Sequence, residues 1–304
     1  MAESANSRRL RRQYTRKVNK LVRDIRRQER SGVRQAMRIL RDTRERVLGD
    51  LDTARGFEAF HADEIRQAVD RSVEEFEDRY GHLAKTKVDD AFKAGQAMVK
   101  EPLETVTQLT FSIPELPADL VEVLQGTTAD LVKEVGQRMR DQINGEVQQA
   151  VTGAQRPGDA RRSIENMFRT GRSQLRGFRQ RTGFAWQAER IVRTEVNRVF
   201  SVSNVAALEQ AQASVPDMKG QWITTRDGRE RDSHIRNHLK VREKGETFPN
   251  GLRYPLDPSG PPEEVVNCRC VLVAFREEWD LSLPESTRAK KGRPSPQKPA
   301  GIAI

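Results

Sequence analysis

The first fifty residues repeat apolar side chains in steps of three and four. These apolar positions are Leu10, Tyr14, Val18, Leu21 and Ile25. Such spacing puts all of them on one face of a helix. The pattern predicts a single amphipathic helix that continues to Leu51, with a weak point at Ser31 and Gly32. Basic side chains occupy its other faces, at Arg8, Arg12, Arg16, Lys20, Arg23, Arg27 and Arg30.

Helical spacing returns further along the chain. We expect long helices over the ranges 61–99, 119–151 and 183–213. A shorter helix is expected to begin at an N-cap residue, Asp159, and to run through Met167. Pro102 and the two prolines of the segment FSIPELPADL break the helical pattern, so we expect a boundary there.

The character of the sequence changes after Pro216. Glycine, proline and aspartate occur at short intervals, and the apolar runs QWIT and CVLVAF suit short buried strands. This is the only region predicted to form a sheet. From Pro284 onward the chain has too little apolar content to fold, so a flexible basic tail is expected.

These patterns predict a mostly α fold. Extended N-terminal helices and a helical domain precede a small α+β C-terminal module with short strands and a disordered tail. The expected divisions are a basic and amphipathic helical arm, a helical part, the small α+β module and the tail, over residues 1–113, 118–213, 214–280 and 281–304.

The composition limits the size of the hydrophobic core and bears on whether the protein contacts a membrane. Hydrophobic residues make up 36% of the 304 residues and charged residues 32%, so no part is expected to carry a large dry core. No stretch approaches the roughly 18 consecutive apolar residues of a membrane span. The start, MAESANSRRLRRQ, has no apolar signal core. We therefore expect a soluble protein without membrane contact.

The basic excess is confined to the predicted N-terminal helix. Residues 1–50 hold 16 Lys and Arg against 6 Asp and Glu, and the remainder holds 38 of each kind. Such asymmetry indicates contact with nucleic acid or with an acidic protein surface, and its alternative is a solvated helix face. The candidate phosphate-binding residues are Arg8, Arg9, Arg11, Arg12, Arg16, Lys17, Lys20, Arg23, Arg26 and Arg27.

Glu195 is an anomaly on the helix predicted over 183–213. At about 100° per residue it falls near the centre of an apolar stripe. An unpaired buried carboxylate would cost several kcal/mol, so we expect a fixed cation, a metal or backbone N–H groups beside it. Arg198 and Arg269 are the candidate cations. The alternative is a purely structural tie between this helix and the segment that holds the cysteines.

Histidine and cysteine cluster within 37 residues, at His234, His238, Cys268 and Cys270. Two imidazoles and two thiolates suffice for tetrahedral zinc, although Cys-x-Cys is not a diagnostic spacing. In the metal-free alternative the thiols pack as small apolar residues and the histidine is hydrogen-bonded. A disulfide within the tripeptide would be strained, so a reducing compartment is expected.

Catalytic motifs are hard to find in the sequence. It has no HExxH, no phosphate-cradling Gly-rich loop and no recognisable Ser-His-Asp arrangement. A metal nuclease that uses His234 with Asp232, Asn267 and the thiols remains an alternative. The compact strand-turn-helix pattern of such sites is not evident, so we expect no enzyme activity and no cofactor other than zinc.

Three segments in fixed order carry a resemblance: AERIVRTEVNRVF, QWITTRDGRERDSHIRNHLK and GETFPNGLRYPLDPSGPPEEVVNCRC. Together, over about residues 120–275, they resemble the phage Mu F-like head morphogenesis family. The matching positions are Arg193, Thr194, Glu195, Trp222, Asp227, His234, Phe248, Pro255, Asn267, Cys268, Arg269 and Cys270. His238 and Leu239 stand where the family turns through an Asp-Gly pair, which favours His234 over His238 as the shared residue.

The resemblance implies a minor capsid protein of a tailed bacteriophage. Proteins of this kind are present in few copies, aid head assembly and in some cases contact packaged DNA. The implied partners are the portal protein, the capsid interior and double-stranded DNA bound without sequence preference. The implied location is the phage head, with the host cytoplasm during assembly. The alternatives are a metal-dependent nuclease or DNA-processing enzyme and a cytoplasmic DNA-binding regulator.

Overall fold

The computed structural model describes residues 5–53, 62–107, 118–169, 171–175, 178–215, 217–225, 228 and 230–276. The protein is mostly helical, with a small antiparallel sheet towards the C-terminal end, so the predicted fold class is confirmed. The predicted tail and Asp227 lie outside the described residues. No helix in the described part is long and apolar enough to cross a membrane.

Eight α-helices and five strands form the described chain. The helices are α1 Ala5–Thr53, α2 Ala62–Thr107, α3 Ala118–Val151, α4 Pro157–Met167, α5 Phe184–Ile191, α6 Asn197–Ser214, α7 Asp232–Asn237 and α8 Pro262–Val265, and a π-helical segment over Val192–Val196 joins α5 to α6. The strands are β1 Gly171–Leu175, β2 Phe178–Thr182, β3 Lys219–Ile223, β4 Val241–Arg242 and β5 Val271–Phe275.

The long N-terminal helix is confirmed, and it is unbroken at Gly32. Gly32 is buried, and a Cβ atom there would lie 3.0 Å from Cγ1 of Val192. The glycine therefore allows α1 and the π-helical segment to approach closely. The helix is not weakened at the predicted position, which is instead where it packs against Val192.

Three local expectations were wrong. Pro102 does not end a helix, because α2 continues to Thr107. Its neighbours Val99 and Leu103 are fully buried, and this packing offsets the missing hydrogen bond of the proline. The fourth helix begins at Pro157, whose fixed φ suits the first turn, so Asp159 lies inside the helix. An antiparallel hairpin, β1 with β2, also forms where no sheet was expected.

The chain folds into two compact units that are not consecutive in sequence. The described residues of the first unit fall within Met1–Val22, Gln96–Ile113 and Asn204–Ile304, and those of the second within Arg23–Gly95 and Pro114–Ser203. Each unit therefore takes a part of α1 and a part of α2.

The first unit contains the three-stranded sheet, in the order β4-β3-β5 with both pairs antiparallel. Both predicted strands, in QWIT and CVLVAF, are confirmed, and Trp222 pairs with Leu272 in the register. Leu103, Leu208 and other apolar side chains of α2 and α6 share one core with the sheet. The N-terminal helix joins this unit through Tyr14, whose hydroxyl donates to the carbonyl of Ala274 at 2.5 Å.

The second unit is helical apart from the β1–β2 hairpin. Its core takes fully buried side chains from α2 and α3, including Phe76, Tyr80, Met139 and Ile143. The hydroxyl of Tyr80 donates to the carbonyl of Ala188 in α5 at 2.6 Å. This bond fixes α5 just before the π-helical segment that carries the Arg-Thr-Glu motif.

Candidate functional site

A buried cluster of His234, Cys268 and Cys270 lies in the first unit. The side chains are 2%, 2% and 4% exposed. Nδ1 of His234 is 3.5 Å from Sγ of Cys268 and 3.4 Å from Sγ of Cys270. One nitrogen or sulfur atom from each residue lies within 4.8 Å of the others. The structure therefore brings together three of the four residues that the sequence suggested as metal ligands.

The two cysteines owe their common direction to the local backbone. Helix α8 ends at Val265, and Asn267 then adopts a left-handed conformation with φ of 58°, which asparagine tolerates better than most residues. The chain leaves this turn in an extended conformation and enters β5 at Val271. Alternate residues of an extended chain point the same way, so Cys268 and Cys270 face His234 together.

The ring of His234 is held from its other side by Glu264. Oε2 of Glu264 is 2.9 Å from Nε2 of His234. Glu264 also accepts hydrogen bonds from Oγ of Ser233 at 2.9 Å and from Nδ2 of Asn250 at 3.1 Å. Burial raises the pKa of Glu264, but the hydrogen bonds from Asn250 and Ser233 outweigh burial and hold this pKa below its usual range. An ionised carboxylate only accepts, so Nε2 carries a proton and donates it to Glu264.

The environment also favours ionisation of one thiol. A hydrogen bond from Cys270 is the main factor that lowers the pKa of Cys268 well below its usual range, against the effect of burial, and His234 adds to it. A thiolate is the form of cysteine that binds metals and attacks electrophiles.

Aromatic rings cover one side of the cluster. Trp222 is fully buried, and its ring meets that of His234 edge to face with centroids 5.4 Å apart. Phe248 packs on the same tryptophan at 5.0 Å. Trp222 and Phe248 therefore help to exclude water from the cluster, which is consistent with their positions in the motif.

His238 does not join the cluster of donor atoms. Helix α7 ends at Asn237, and His238 has an extended backbone with ψ of 128°. The two histidines therefore do not share a helical face, and the prediction that His238 is a ligand has no support in the geometry. Nδ1 of His238 instead accepts a hydrogen bond from the backbone N–H of Thr224 at 3.1 Å.

Asp257 is a buried acid that the sequence analysis did not single out. It is 1% exposed and accepts hydrogen bonds from Nε of Arg253 at 2.8 Å and from Oγ of Ser259 at 2.7 Å. Burial raises the pKa of Asp257, but these bonds outweigh it and leave the pKa far below its usual range. Asp257 therefore organises the loop that precedes α8.

The Arg-Thr-Glu motif lies in the second unit, on the π-helical segment. Arg193 forms ion pairs with Glu189 at 2.8 Å and with the buried Glu29 of α1 at 3.6 Å. Asn197 donates to the carbonyl of Arg193 at 2.7 Å, and Thr194 is buried. Motif residues thus fix the segment against α1, and π-helical turns of this kind are frequent at functional sites.

Glu195 pairs with Arg198 at 2.5 Å. It is 12% exposed, and burial raises its pKa against the opposing effect of Arg198. The expectation of a largely buried carboxylate beside a fixed cation is confirmed, with Arg198 as the cation.

The other predicted positions have ordinary structural surroundings. The carbonyl of Arg269 accepts a hydrogen bond from Oγ1 of Thr225 at 2.9 Å. Pro255 is buried in the loop before α8, and Asn267 is exposed.

The ten candidate phosphate-binding residues divide into two groups. Seven are exposed on α1, namely Arg8, Arg9, Arg12, Arg16, Lys20, Arg23 and Arg27. Arg11, Lys17 and Arg26 are half-buried. Lys17 pairs with Glu101 at 2.5 Å, and Arg26 pairs with Glu29 at 3.0 Å. The exposed group is therefore the better candidate for an interface, and it continues through Arg30, Arg34, Arg38 and Arg41.

The order of these features along the chain is similar to that of a known protein family. Residues 141–273 match the sequence profile of the family described as Phage Mu protein F like protein. The match runs from α3 to β5, covers less than half of the chain, and confirms the resemblance found in the sequence over those residues. No match was found among curated proteins or among solved structures.

Proposed function

We propose that the protein is a minor head protein of a tailed bacteriophage that resides in the capsid interior. It acts in head morphogenesis, associates with the portal and contacts packaged double-stranded DNA. The family match supports the role in morphogenesis. The observation that supports DNA contact is the exposed basic face of α1.

This face is defined by nine exposed residues: Arg12, Arg16, Lys20, Arg23, Arg27, Arg30, Arg34, Arg38 and Arg41. At 3.6 residues per turn, their positions fall within a sector of about 80°. Buried residues such as Tyr14, Val18 and Ile39 lie on the opposite side of the helix. The helix thus separates a protein-facing side from a side lined by basic residues, of which Arg27 pairs with Asp24 at 3.5 Å.

A row of guanidinium groups on a helix suits the phosphate backbone. Duplex DNA carries one negative charge per about 1.7 Å of axis, and contacts with Arg and Lys release condensed counterions. Guanidinium groups bind phosphate in a bidentate manner. Contacts of this kind carry no base readout, so they suit DNA of any sequence.

The enzymatic alternative is less well supported. His234 and both thiols are almost fully buried, with Trp222 against the imidazole. A phosphodiester substrate needs direct access to the metal or to the general base. Burial therefore favours a structural role for the cluster.

DNA binding is tested with matched charge variants of the full chain. The first variant replaces Arg23, Arg30, Arg34 and Arg38 by Gln. The control replaces four other exposed basic residues, namely Arg71, Lys85, Lys93 and Lys133, by Gln and thus makes the same change in net charge. Substitution is preferable to truncation, because Tyr14 and Val18 are buried in the first unit.

We expect the first variant to bind DNA more weakly than the wild type and the control. The slope of log K against log salt should become less steep by about 0.9 for each phosphate that the variant no longer neutralises. Equal affinity and equal salt dependence in the two variants would show that the basic face is only a solvated surface.

The morphogenetic role is tested in the phage. Virions should contain the protein inside DNA-filled heads, and it should copurify with portal protein from assembly intermediates. Loss of the gene should reduce the yield of DNA-filled heads. Normal heads without the protein would refute the role in assembly, and failure to recover portal protein would refute that association alone.

A further inference from the structure

In the buried cluster, the distances from the imidazole nitrogen to the two sulfurs match those between ligands of one tetrahedral ion. Zinc bonds of about 2.05 Å to nitrogen and about 2.3 Å to sulfur, at a tetrahedral angle, put ligand nitrogen and sulfur about 3.6 Å apart. The observed distances from Nδ1 of His234 to the sulfurs of Cys268 and Cys270 are 3.5 Å and 3.4 Å.

A hydrogen bond from Cys270 to Cys268 leaves the nearly equal approach of both sulfurs to Nδ1 of His234 to be explained. A neutral imidazole with its proton on Nε2 has a single lone pair, on Nδ1. Two thiols at nearly equal distance cannot both donate along that one direction. A cation among the three atoms uses the lone pair once and binds both sulfurs as thiolates.

The charge of such a centre also fits its burial. Two thiolates balance the charge of a divalent cation, so the centre is neutral inside a water-excluded site. Any proton that a thiol still holds passes to solvent when the ion binds.

Glu264 supplies the outer partner that metal-bound histidines require. It lies 2.9 Å from Nε2 of His234 and is itself held by Ser233 and Asn250. Asn250 in turn accepts a hydrogen bond from the fully buried Asn237 at 2.7 Å. This network fixes the ring with Nδ1 directed at the sulfurs, and outer partners of this type raise metal affinity by about 10–100-fold.

We propose that His234, Cys268 and Cys270 bind one zinc ion, with Glu264 as the positioning residue for His234. These residues supply three of the four ligands of a tetrahedral site. The ion joins α7 to the segment that enters β5. Since this module is small, such a cross-link contributes directly to its stability.

The test uses the reduced full-length protein. Metal is removed with a chelator, zinc is added in excess, unbound zinc is removed, and bound zinc is measured by elemental analysis. We expect one zinc ion per chain. Cobalt in place of zinc should give thiolate-to-cobalt charge-transfer absorption and the intense visible bands of a four-coordinate ion. Zinc well below one per chain, or cobalt bound without the thiolate bands, would overturn the proposal.

Variants assign the ligands. Replacing both Cys268 and Cys270 by Ser should abolish the cobalt bands, whereas His82→Ala, at an exposed histidine, should leave them unchanged. Glu264→Gln should lower zinc affinity by about 10–100-fold in competition with a chromophoric chelator. Glu263→Gln, at the exposed neighbour, should leave zinc affinity unchanged.

If the variant with both cysteines replaced by serine fails to fold, zinc content and the cobalt spectrum of the wild type still decide whether the site binds zinc. Equal zinc content in folded wild type and serine variant would refute the assignment.

Discussion

Glu264 accepts a hydrogen bond from Nε2 of His234 on the edge of the ring opposite the two cysteine sulfurs. The residues are 30 positions apart, and the contact joins α7 to α8. It sets the tautomer of the imidazole and therefore what the cluster can bind. His234, Ser233 and Asn250 all donate hydrogen bonds to Glu264 and therefore share this one carboxylate as their acceptor.

We expect Glu264→Ala to destabilise the protein even without metal. His234, Ser233 and Asn250 would be deprived of their common acceptor in a partly buried place, which costs about 2–3 kcal/mol. Urea unfolding in the presence of a chelator measures the change. Glu263→Ala, an exposed neighbour in the same short helix, should change stability by less than about 0.5 kcal/mol. Equal effects of the two substitutions would show that the hydrogen bonds to Glu264 contribute little.

Asp257 should give the protein part of its sensitivity to acid. Its pKa in the folded state is lowered, below the unfolded value of about 3.9. Folding therefore favours the ionised form, and this contribution is present at neutral pH. It is lost as the pH falls through 3.9 towards the folded pKa.

The measurement compares the wild type with Asp257→Asn. The free energy of unfolding should be lower in the variant at pH 7, and the difference should shrink as the solution is acidified. Asp130→Asn, at an exposed position of α3, serves as the control and should show no such trend. A difference that is constant with pH would exclude Asp257 as the titrating group.

Glu195 should have the opposite pH dependence. Burial raises its pKa in the folded state above the unfolded value, so folding disfavours the ionised form. The wild type should therefore gain stability relative to Glu195→Gln as the pH falls from 7 through the pKa of Glu195. Thermal unfolding at several pH values tests this, with Glu122→Gln at an exposed position as the control. A gain for the variant on acidification would show that the ion pair with Arg198 outweighs burial.

Two glycines of α1 form a matched pair. At Gly49 an added Cβ meets nothing within 4 Å, so Gly49→Ala should raise stability by about 0.5–1 kcal/mol through helix propensity. At Gly32 the Cβ would lie 3.0 Å from the β-branched Val192. Gly32→Ala should therefore lower stability by about 1–3 kcal/mol, as overpacking does. If both substitutions stabilise the protein, α1 does not pack closely on the π-helical segment.

Local patterns were sufficient to predict the long helices and both central strands. The steps of three and four residues from Leu10 to Ile25 are a property of neighbouring positions, and so is the apolar run of β5. Pro102 shows the limit of such rules, because the burial of Val99 and Leu103 in a shared core outweighs the local preference.

The candidate site was only partly predictable for the same reason. Histidine and cysteine are rare in this chain, so their grouping in the sequence was visible. Glu264 is one of two consecutive glutamates and has no local signal, since its role depends on Asn250 and His234 arriving from other segments. Asp257 was missed because its burial depends on the conformation of the whole loop.

The bond from Tyr14 to Ala274 has a consequence for the order of folding. It joins residues 260 positions apart, and contacts between such distant residues form slowly because a long loop must close first. Ribosomes make α1 long before β5, so the first unit closes only after nearly all of the described chain has been synthesised. The segments of the second unit end at Ser203, which gives that unit an earlier opportunity to fold. During synthesis the hydroxyl of Tyr14 therefore has no bond to the carbonyl of Ala274 until β5 has been made.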